Sequence, residues 1–209
     1  MLQLYFAPNT CALATHVALE EAGADYATVR VDFRSNEQRG PAYLAINPKG
    51  RVPSLVTDRG ILTETPAMLA FVAQTFPAAG LAPLDDAFAF AQLQAFNSYL
   101  CSTLHVAHAH GRRGYRWADD EAAFAAMQRF VPKSVGACFE LIEQHMLARP
   151  WVMGETYTVC DPYLFAVAQW LEGDGVDLER IPRVIDHRRR MLERPAVQRA
   201  FAAERAPIS

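Results

Sequence analysis

The sequence predicts an α/β domain followed by an all-helical domain, and three observations support that prediction. The first third of the 209 residues alternates strand and helix patterns in the order β-α-β, then an irregular stretch, then β-β-α. Proline and glycine then cluster in residues 77–86, which is typical of a linker. The periodic stretches that follow have the helical repeat, without strand patterns. We therefore expect domains at 1–77 and 87–209, with 78–86 as the linker.

The first domain is expected to begin with an apolar strand at residues 2–6, which ends at the turn Ala7-Pro8-Asn9. A helix follows over residues 10–22, because Gly23 stands where glycine is favoured after a helix. Residues 27–33 alternate and are rich in valine, which predicts the second strand.

The polar residues 34–46 predict an irregular stretch with one short helix. Two strands at 51–57 and 61–63 are expected on either side of a tight turn, followed by a helix over 66–76. In the second domain the helical repeat predicts helices near 86–110, 121–148, 159–172, 181–193 and 196–204.

Composition and charge exclude several classes of function. A net charge of -3 gives no general attraction to nucleic acids or anionic membranes, and the arginine runs at 112–113 and 188–190 are interpreted as solvated faces. No stretch approaches the roughly 18 apolar residues of a membrane span, and the N-terminus has no signal-peptide pattern. The four cysteines form no CxxC pair, which favours reduced thiols. We therefore expect a cytoplasmic protein without nucleic-acid or membrane partners.

Cys11 is the first candidate for chemistry, because it stands after the first strand at the start of the first helix. Free N–H groups and the helix dipole there favour a thiolate over a thiol and lower the pKa of the cysteine. The alternative role is that of a small buried apolar residue. The hydroxyl groups of Tyr5 and Thr10 are competing candidates for the same chemistry.

Glu64 and Thr65 are the second candidate, a binding site for an amino-acid head group. Thr65 is expected to cap the helix that starts at Pro66, and its N–H and hydroxyl suit a carboxylate. The neighbouring Glu64 can pair with an ammonium group. The alternative is an ordinary helix cap whose glutamate compensates the helix dipole.

The segment Asn47-Pro48-Lys49-Gly50-Arg51-Val52-Pro53 is the third candidate. Because a residue before proline is extended, Val52 directs its N–H and C=O sideways. With a cis Val52–Pro53 bond these groups would be able to pair with a bound peptide. Since cis bonds are only about 5–6% of X–Pro bonds, the residues alone leave the isomer open.

Together these motifs resemble the glutathione transferase superfamily, and most closely its bacterial, cysteine-containing beta class. The resemblance covers essentially the whole chain and rests on an ordered set of segments. These are residues 4–11, 47–53 and 62–65 in the first domain, and residues 158–161, 181–182 and 193–197 in the second.

The resemblance implies a thioredoxin-like first domain that binds glutathione, followed by a helical bundle. It implies that Pro53 is cis and that the Val52 backbone hydrogen-bonds the cysteinyl part of glutathione. It also implies that Glu64 and Thr65 hold the γ-glutamyl amine and carboxylate. Glutathione is thus the expected co-substrate.

The same resemblance assigns the catalytic residues. Cys11 corresponds to the beta-class cysteine, which hydrogen-bonds the glutathione thiolate or forms a mixed disulfide with it. His105 corresponds to a histidine near the sulfur that stabilises negative charge, and its alternative role is that of a histidine on a helix face. Thr158 and Asp161 have the spacing of a capping box, which is a structural role.

Three departures from the beta class are visible. Ala12 stands where serine is frequent, and Val106 follows the histidine where a basic residue is frequent. The loop after the second strand offers Asn36, Gln38 or Arg39 in place of a lysine. His105, His108 and His110 lack a further ligand at a suitable spacing, so we expect no metal.

The leading functional hypothesis is a glutathione S-transferase that conjugates the glutathione thiolate to a small hydrophobic electrophile. Phe6, Tyr115 and Trp117 are candidates for the electrophile pocket. The first alternative is another glutathione-dependent reaction at Cys11, namely thiol–disulfide exchange, peroxide reduction, dehalogenation or isomerisation. The second is a non-catalytic interaction module. The resemblance also implies a homodimer, in which residues 97–98 reach toward the partner's ligand.

Overall fold

The computed structural model describes residues 1–205. Its N-terminal part contains a four-stranded sheet. The strands are β1 (Leu2–Phe6), β2 (Tyr26–Arg30), β3 (Ser54–Thr57) and β4 (Gly60–Thr63). Their order is β2-β1-β3-β4, with β1 parallel to β2 and the other pairs antiparallel. The predicted strand order along the chain is thus confirmed, with β2 starting and ending earlier than expected.

Three helices accompany the sheet, in the mixed arrangement of a thioredoxin-like domain. They are α1 (Ala12–Glu21), α2 (Pro41–Ile46) and α3 (Thr65–Thr75). The irregular stretch before α2 contains a short 3-10 turn at Glu37–Arg39. The N-terminal part therefore has the α/β architecture expected from the sequence.

The rest of the described chain is mostly helical. Its helices are α4 (Ala87–Tyr99), α5 (His105–Ala109), α6 (Glu121–Leu141), α7 (Cys160–Ala168), α8 (Pro182–Leu192) and α9 (Pro195–Arg205). A π-helical segment at Leu100–Leu104 joins α4 to α5, and a second one at Ile142–Met146 extends α6. The only β pairing seen between residues 87 and 205 is an isolated bridge from Trp151 to Gly154.

The hydrophobic core runs without interruption from the sheet into the helical part. Helix α1 is its centre, because every residue from Ala12 to Leu19 is buried. This helix contacts α3 beside the sheet, and α7 and α9 from the helical part. Burial on all sides explains why α1 has no polar face in the sequence, and it fixes the N-terminus of α1 between the two parts.

The side-chain hydrogen bonds expected of Thr158 and Asp161 are present, but the residue directly before α7 is Val159, one position after the predicted cap Thr158. The Thr158 hydroxyl accepts the Cys160 N–H at 3.3 Å, and the Asp161 carboxylate accepts the Thr158 N–H at 2.7 Å. Asp161 is fully buried and also accepts the Val152 N–H at 2.9 Å. His187 completes the set with its Nε2 at 2.9 Å from the same carboxylate.

The domain boundary at 78–86 remains a prediction. The last four residues of the predicted second domain, 206–209, lie outside the described residues. Among residues 1–205, no helix combines the length and apolar character needed to cross a bilayer.

Candidate active site

A cleft of about 510 Å³ opens where the first turn of α1 meets the helical part. Its walls come from the start of α1, the loop before β3, the start of α3, and the segment from α5 to residue 117. The structure brings all six predicted site residues into its lining: Cys11, Val52, Pro53, Glu64, Thr65 and His105.

Cys11 occupies the position just before α1, as expected, and its Sγ lies 3.9 Å from the carbonyl oxygen of Val52. The expected lowering of its pKa is wrong for this structure. Burial raises the pKa of the Cys11 thiol to about 11, although a hydrogen bond with Thr65 and the charge of Arg113 act in the opposite direction. Desolvation of the thiol therefore outweighs these two effects, and the thiol is protonated at neutral pH.

The loop that carries Val52 is held by two buried or nearly buried side chains. The Tyr43 hydroxyl and the Asn47 side-chain amide each donate to the Arg51 carbonyl oxygen at 2.7 Å. The Val52–Pro53 bond is cis, as the resemblance implied. This anchoring places the Val52 carbonyl opposite Cys11.

The residue before α3 is Glu64, and Thr65 is the first residue of the helix. The prediction that Thr65 is the cap is therefore wrong by one position, because the helix begins one residue earlier than Pro66. Glu64 has a φ of 73°, a left-handed value that is uncommon for a residue with a side chain. Its carboxylate forms an ion pair with the Lys49 ammonium group, so this position already receives an ammonium.

His105 is the first residue of α5 and lines the cleft beside Trp170, with 5.0 Å between the ring centroids. Burial lowers the pKa of His105 to about 3, and the nearby positive groups of His108, Arg113 and Arg116 lower it further. The imidazole is therefore neutral at physiological pH. It can stabilise a thiolate through an N–H hydrogen bond but not through a positive charge.

His108, in contrast to His105, contacts a carboxylate. Its Nδ1 lies 2.8 Å from an Asp174 carboxylate oxygen, and its ring stacks on Trp170 with centroids 4.1 Å apart. The Trp170 Nε1–H donates to the Asn9 carbonyl oxygen at 3.2 Å, which connects this group to the turn before Cys11. Within residues 1–205 no group of three His, Cys, Asp or Glu side chains is arranged to hold a metal ion.

Two other predicted residues, Phe6 for the electrophile pocket and Asn97 for the contact with a partner subunit, do not have the expected positions. Phe6 is 2% exposed and does not line the cleft, because its strand is central and its ring packs on His16. Tyr115 and Trp117 do line it. Asn97 is fully buried within its own chain, so its side chain cannot reach a partner, whereas the adjacent Ser98 is exposed.

Of the loop candidates, Gln38 and Arg39 line the cleft and Asn36 does not. Arginines that the sequence did not indicate as site residues also line the cleft. Arg112 and Arg113, which the sequence predicts on a solvated face, both line it together with Arg51 and Arg116, and Arg113 is only partly exposed. The alternation of arginine with Tyr115 and Trp117 was the available signal.

Comparisons with known proteins identify relatives of this chain. Residues 1–74 match the family model described as glutathione S-transferase, N-terminal domain. The glutathione S-transferase GstA of Escherichia coli O157:H7 is 30% identical over 206 residues, covering 97% of this chain and 98% of that protein.

Two solved structures are similar over almost their whole length. A glutathione transferase homologue from Sulfitobacter, with bound glutathione, is 46% identical with a TM-score of 0.94, over 97% of this chain and 98% of the other. A beta-class glutathione S-transferase from Sphingomonas chungbukensis is 31% identical with a TM-score of 0.84, over 97% and 98% of the two chains.

Proposed function

The chain belongs to the glutathione S-transferase family, and we propose that it joins the sulfur of glutathione to a small hydrophobic electrophile. In this reaction the glutathione thiol loses its proton, and the thiolate forms a C–S bond to the electrophilic carbon. The leaving group departs with the bonding electrons. The convergence of Cys11, Val52, Glu64 and Thr65 on one cleft is the observation that carries the proposal.

Glutathione would be held by its γ-glutamyl end and by the backbone of its cysteinyl residue. The Glu64 carboxylate, which now pairs with Lys49, would receive the γ-glutamyl ammonium. The start of α3 at Thr65 would receive the neighbouring carboxylate. The backbone of Val52 would pair with the cysteinyl residue, which would bring the glutathione sulfur toward Cys11.

Thiolate stabilisation would come from hydrogen-bond donors and a nearby cation. Because the Cys11 thiol is protonated at neutral pH, it is suited to donate an S–H hydrogen bond to the glutathione sulfur. The neutral His105 provides a possible N–H donor, and the Arg113 charge acts on the same region, since it lowers the pKa of both Cys11 and His105. Stabilising the thiolate relative to the thiol lowers the pKa of bound glutathione.

The test is a titration of the thiolate absorbance of bound glutathione. The protein supports the proposal if it binds glutathione in calorimetry and if the bound thiol ionises at a lower pH than free glutathione. Binding with an unshifted thiol pKa contradicts thiol activation. An absence of heat at millimolar glutathione contradicts the whole proposal.

A second candidate is thiol–disulfide exchange through Cys11, which is supported by the position of this thiol in the cleft. One relative, 26% identical, is named disulfide-bond oxidoreductase YfcG of Escherichia coli. The protonated state of Cys11 favours conjugation over this chemistry, because the thiolate is the attacking form. Cys11→Ala separates the two: exchange is lost, whereas conjugation continues at a reduced rate.

We further propose that the protein acts as a homodimer in the cytoplasm, in the detoxification of electrophiles. The resemblance to dimeric family members supports the homodimer, and the cysteine pattern supports a reducing compartment. Sedimentation of the purified protein at several concentrations tests the assembly. A monomer at micromolar concentration would contradict it.

A further inference from the structure

The segment Arg113-Gly114-Tyr115-Arg116-Trp117 forms one wall of the cleft and alternates cationic and aromatic side chains. Its middle is a 3-10 turn at Gly114–Arg116. Gly114 is buried, and a Cβ atom added there would come within 3.0 Å of the Phe124 ring. The close approach to α6 therefore fixes the segment in place, with Arg113, Tyr115, Arg116 and Trp117 lining the cleft.

Two more arginines, which come from the α/β part of the chain, line the same cleft. Arg39 follows the 3-10 turn before α2, and Arg51 precedes Val52, and both line the same cleft. Burial lowers the pKa of Arg116, and the charges of Arg51 and Arg113 lower it further. Burial opposes ionisation of the Tyr115 phenol, but Arg116 and Arg39 outweigh it and lower its pKa. The four guanidinium groups thus act on a common region.

This arginine cluster, Arg39, Arg51, Arg113 and Arg116, lacks matching negative charge. In the part of the chain that the structure describes, none of the four forms an ion pair with a carboxylate. Glu64 is the single acidic residue among the described residues of the cleft lining, and it is paired with Lys49. Arg39 and Arg51 are exposed and therefore solvated, whereas Arg113 and Arg116 are only partly exposed. Holding these two like charges together away from full solvation is unfavourable unless a ligand supplies an anion.

Glutathione alone does not supply enough anions for this cluster. Of its two carboxylates, the γ-glutamyl one is proposed to lie at Thr65, which leaves one glycyl carboxylate. Arg51 is adjacent to Val52 in the sequence, and Arg39 also belongs to the α/β part, so we assign the glycyl carboxylate to these two. Arg113 and Arg116, which come from the helical part, are left for a different anion.

We propose that the second substrate is an aromatic carboxylate, whose carboxylate is held by Arg113 and Arg116 and whose ring packs on Tyr115 and Trp117. Arginine is suited to this role, because its planar fork of donors matches a carboxylate and stacks on aromatic rings. The inference rests on the proposed conjugation of glutathione and adds the substrate class to it.

A matched pair of electrophiles tests the inference: a chlorodinitrobenzoate with chlorine para to the carboxylate, and the corresponding carboxamide. With either compound the glutathione sulfur forms a C–S bond to the ring carbon, the C–Cl bond breaks, chloride leaves with the electron pair, and the thiol proton passes to solvent. Each kcat/KM is divided by the uncatalysed rate constant with glutathione, which removes the difference in intrinsic reactivity. We expect the acid to be preferred by about tenfold or more.

Variants locate the origin of that preference. Arg116→Gln should lower kcat/KM for the acid by about tenfold while leaving the carboxamide and the KM for glutathione nearly unchanged. Arg113→Gln also removes the cation proposed to act on the glutathione thiolate, so it should lower kcat/KM for both compounds, and for the acid by about tenfold more than for the carboxamide. Arg116→Lys keeps the charge without the fork and should retain part of the preference. Arg129→Gln, an exposed position outside the cleft, is the matched control and should behave as the unmodified protein.

Two outcomes overturn the inference and leave the proposed function standing. One is equal normalised turnover of the acid and the carboxamide by a protein that binds glutathione. The other is a loss of both activities with a raised KM for glutathione in the two glutamine variants, which would assign these arginines to the glycyl carboxylate. If glutathione gives no heat and neither compound is turned over, the proposed function fails, and this inference with it.

Discussion

The Cys11 Sγ lies 3.9 Å from the carbonyl oxygen of Val52, across 41 positions of sequence. The contact joins the first turn of α1 to the loop that carries Pro53, so the thiol faces a backbone acceptor. A carbonyl oxygen disfavours a thiolate, and the burial of Cys11 has the same effect. Both effects keep this cysteine protonated at neutral pH.

The first prediction concerns the reactivity of Cys11 toward iodoacetamide. Because burial raises the pKa of its thiol to about 11, its alkylation should be slow near neutral pH. Since the thiolate is the nucleophile, the rate should rise about tenfold per pH unit up to that value. Mass spectrometry of the peptide that contains Cys11 gives the rate, and saturating glutathione should suppress it. A rate that reaches a plateau below about pH 9 would contradict the assignment.

The second prediction separates binding from backbone strain at Glu64. Glu64→Gln removes the partner of the γ-glutamyl ammonium, so the KM for glutathione should rise about tenfold with little change in kcat. Glu155→Gln, at an exposed position outside the cleft, is the control. Kinetics with varied glutathione measure both effects, and an unchanged KM in Glu64→Gln would remove Glu64 from the binding site.

Glu64→Gly extends the same experiment. The φ of 73° at Glu64 is accessible to glycine without the steric cost that a side chain imposes. This variant should lose glutathione affinity as Glu64→Gln does, while its thermal denaturation midpoint should not fall. A clear decrease in the midpoint would show that the glutamate side chain stabilises the fold.

Local sequence patterns predicted most of the fold. The strand at Leu2–Phe6 has the predicted limits, and the box formed by Thr158 and Asp161 has the predicted hydrogen bonds. The π-helical segments at Leu100–Leu104 and Ile142–Met146 could not be predicted, because the helical apolar pattern continues through both. Such departures depend on how neighbouring helices pack, which local patterns do not encode.

The sequence predicted which residues line the candidate site better than it predicted their pKa values and charges. The motifs placed Val52, Glu64 and Thr65 correctly in one cleft. The direction of the Cys11 pKa was wrong, because it depends on helices far away in sequence that bury the thiol. The arginine cluster was missed for the same reason, since its four members come from three separate segments that meet only in the folded chain.

The third prediction concerns the fully buried carboxylate of Asp161. It accepts the backbone N–H groups of Val152 and Thr158 and contacts His187. Asp161→Ala leaves these groups without a partner and should lower the free energy of unfolding by about 3 kcal/mol or more. The control Asp186→Ala removes partly exposed ion pairs with Arg189 and Arg190 and should cost about 1 kcal/mol or less. Urea denaturation at neutral pH measures both, and equal losses would contradict the structural role of Asp161.

The fourth prediction concerns the pH dependence of stability that arises from His105. In the folded protein, burial together with the charges of His108 and nearby arginines lowers the pKa of His105 to about 3, whereas the value in an unfolded chain is about 6.5. Between these values the unfolded chain binds more protons, so protonation of His105 favours unfolding. Its contribution to stability is therefore complete above about pH 6.5 and is lost as the pH falls toward 3.

His105→Gln should reduce this loss. Its free energy of unfolding should depend less on pH than that of the unmodified protein between about pH 6.5 and pH 4, by up to one proton in slope. Other groups titrate in the same range, so the difference between the two proteins is the quantity to compare. His145→Gln, at an exposed position outside the cleft, is the matched control. Urea denaturation across this range gives the slopes, and identical slopes for His105→Gln and the unmodified protein would show that His105 is already protonated in the folded state.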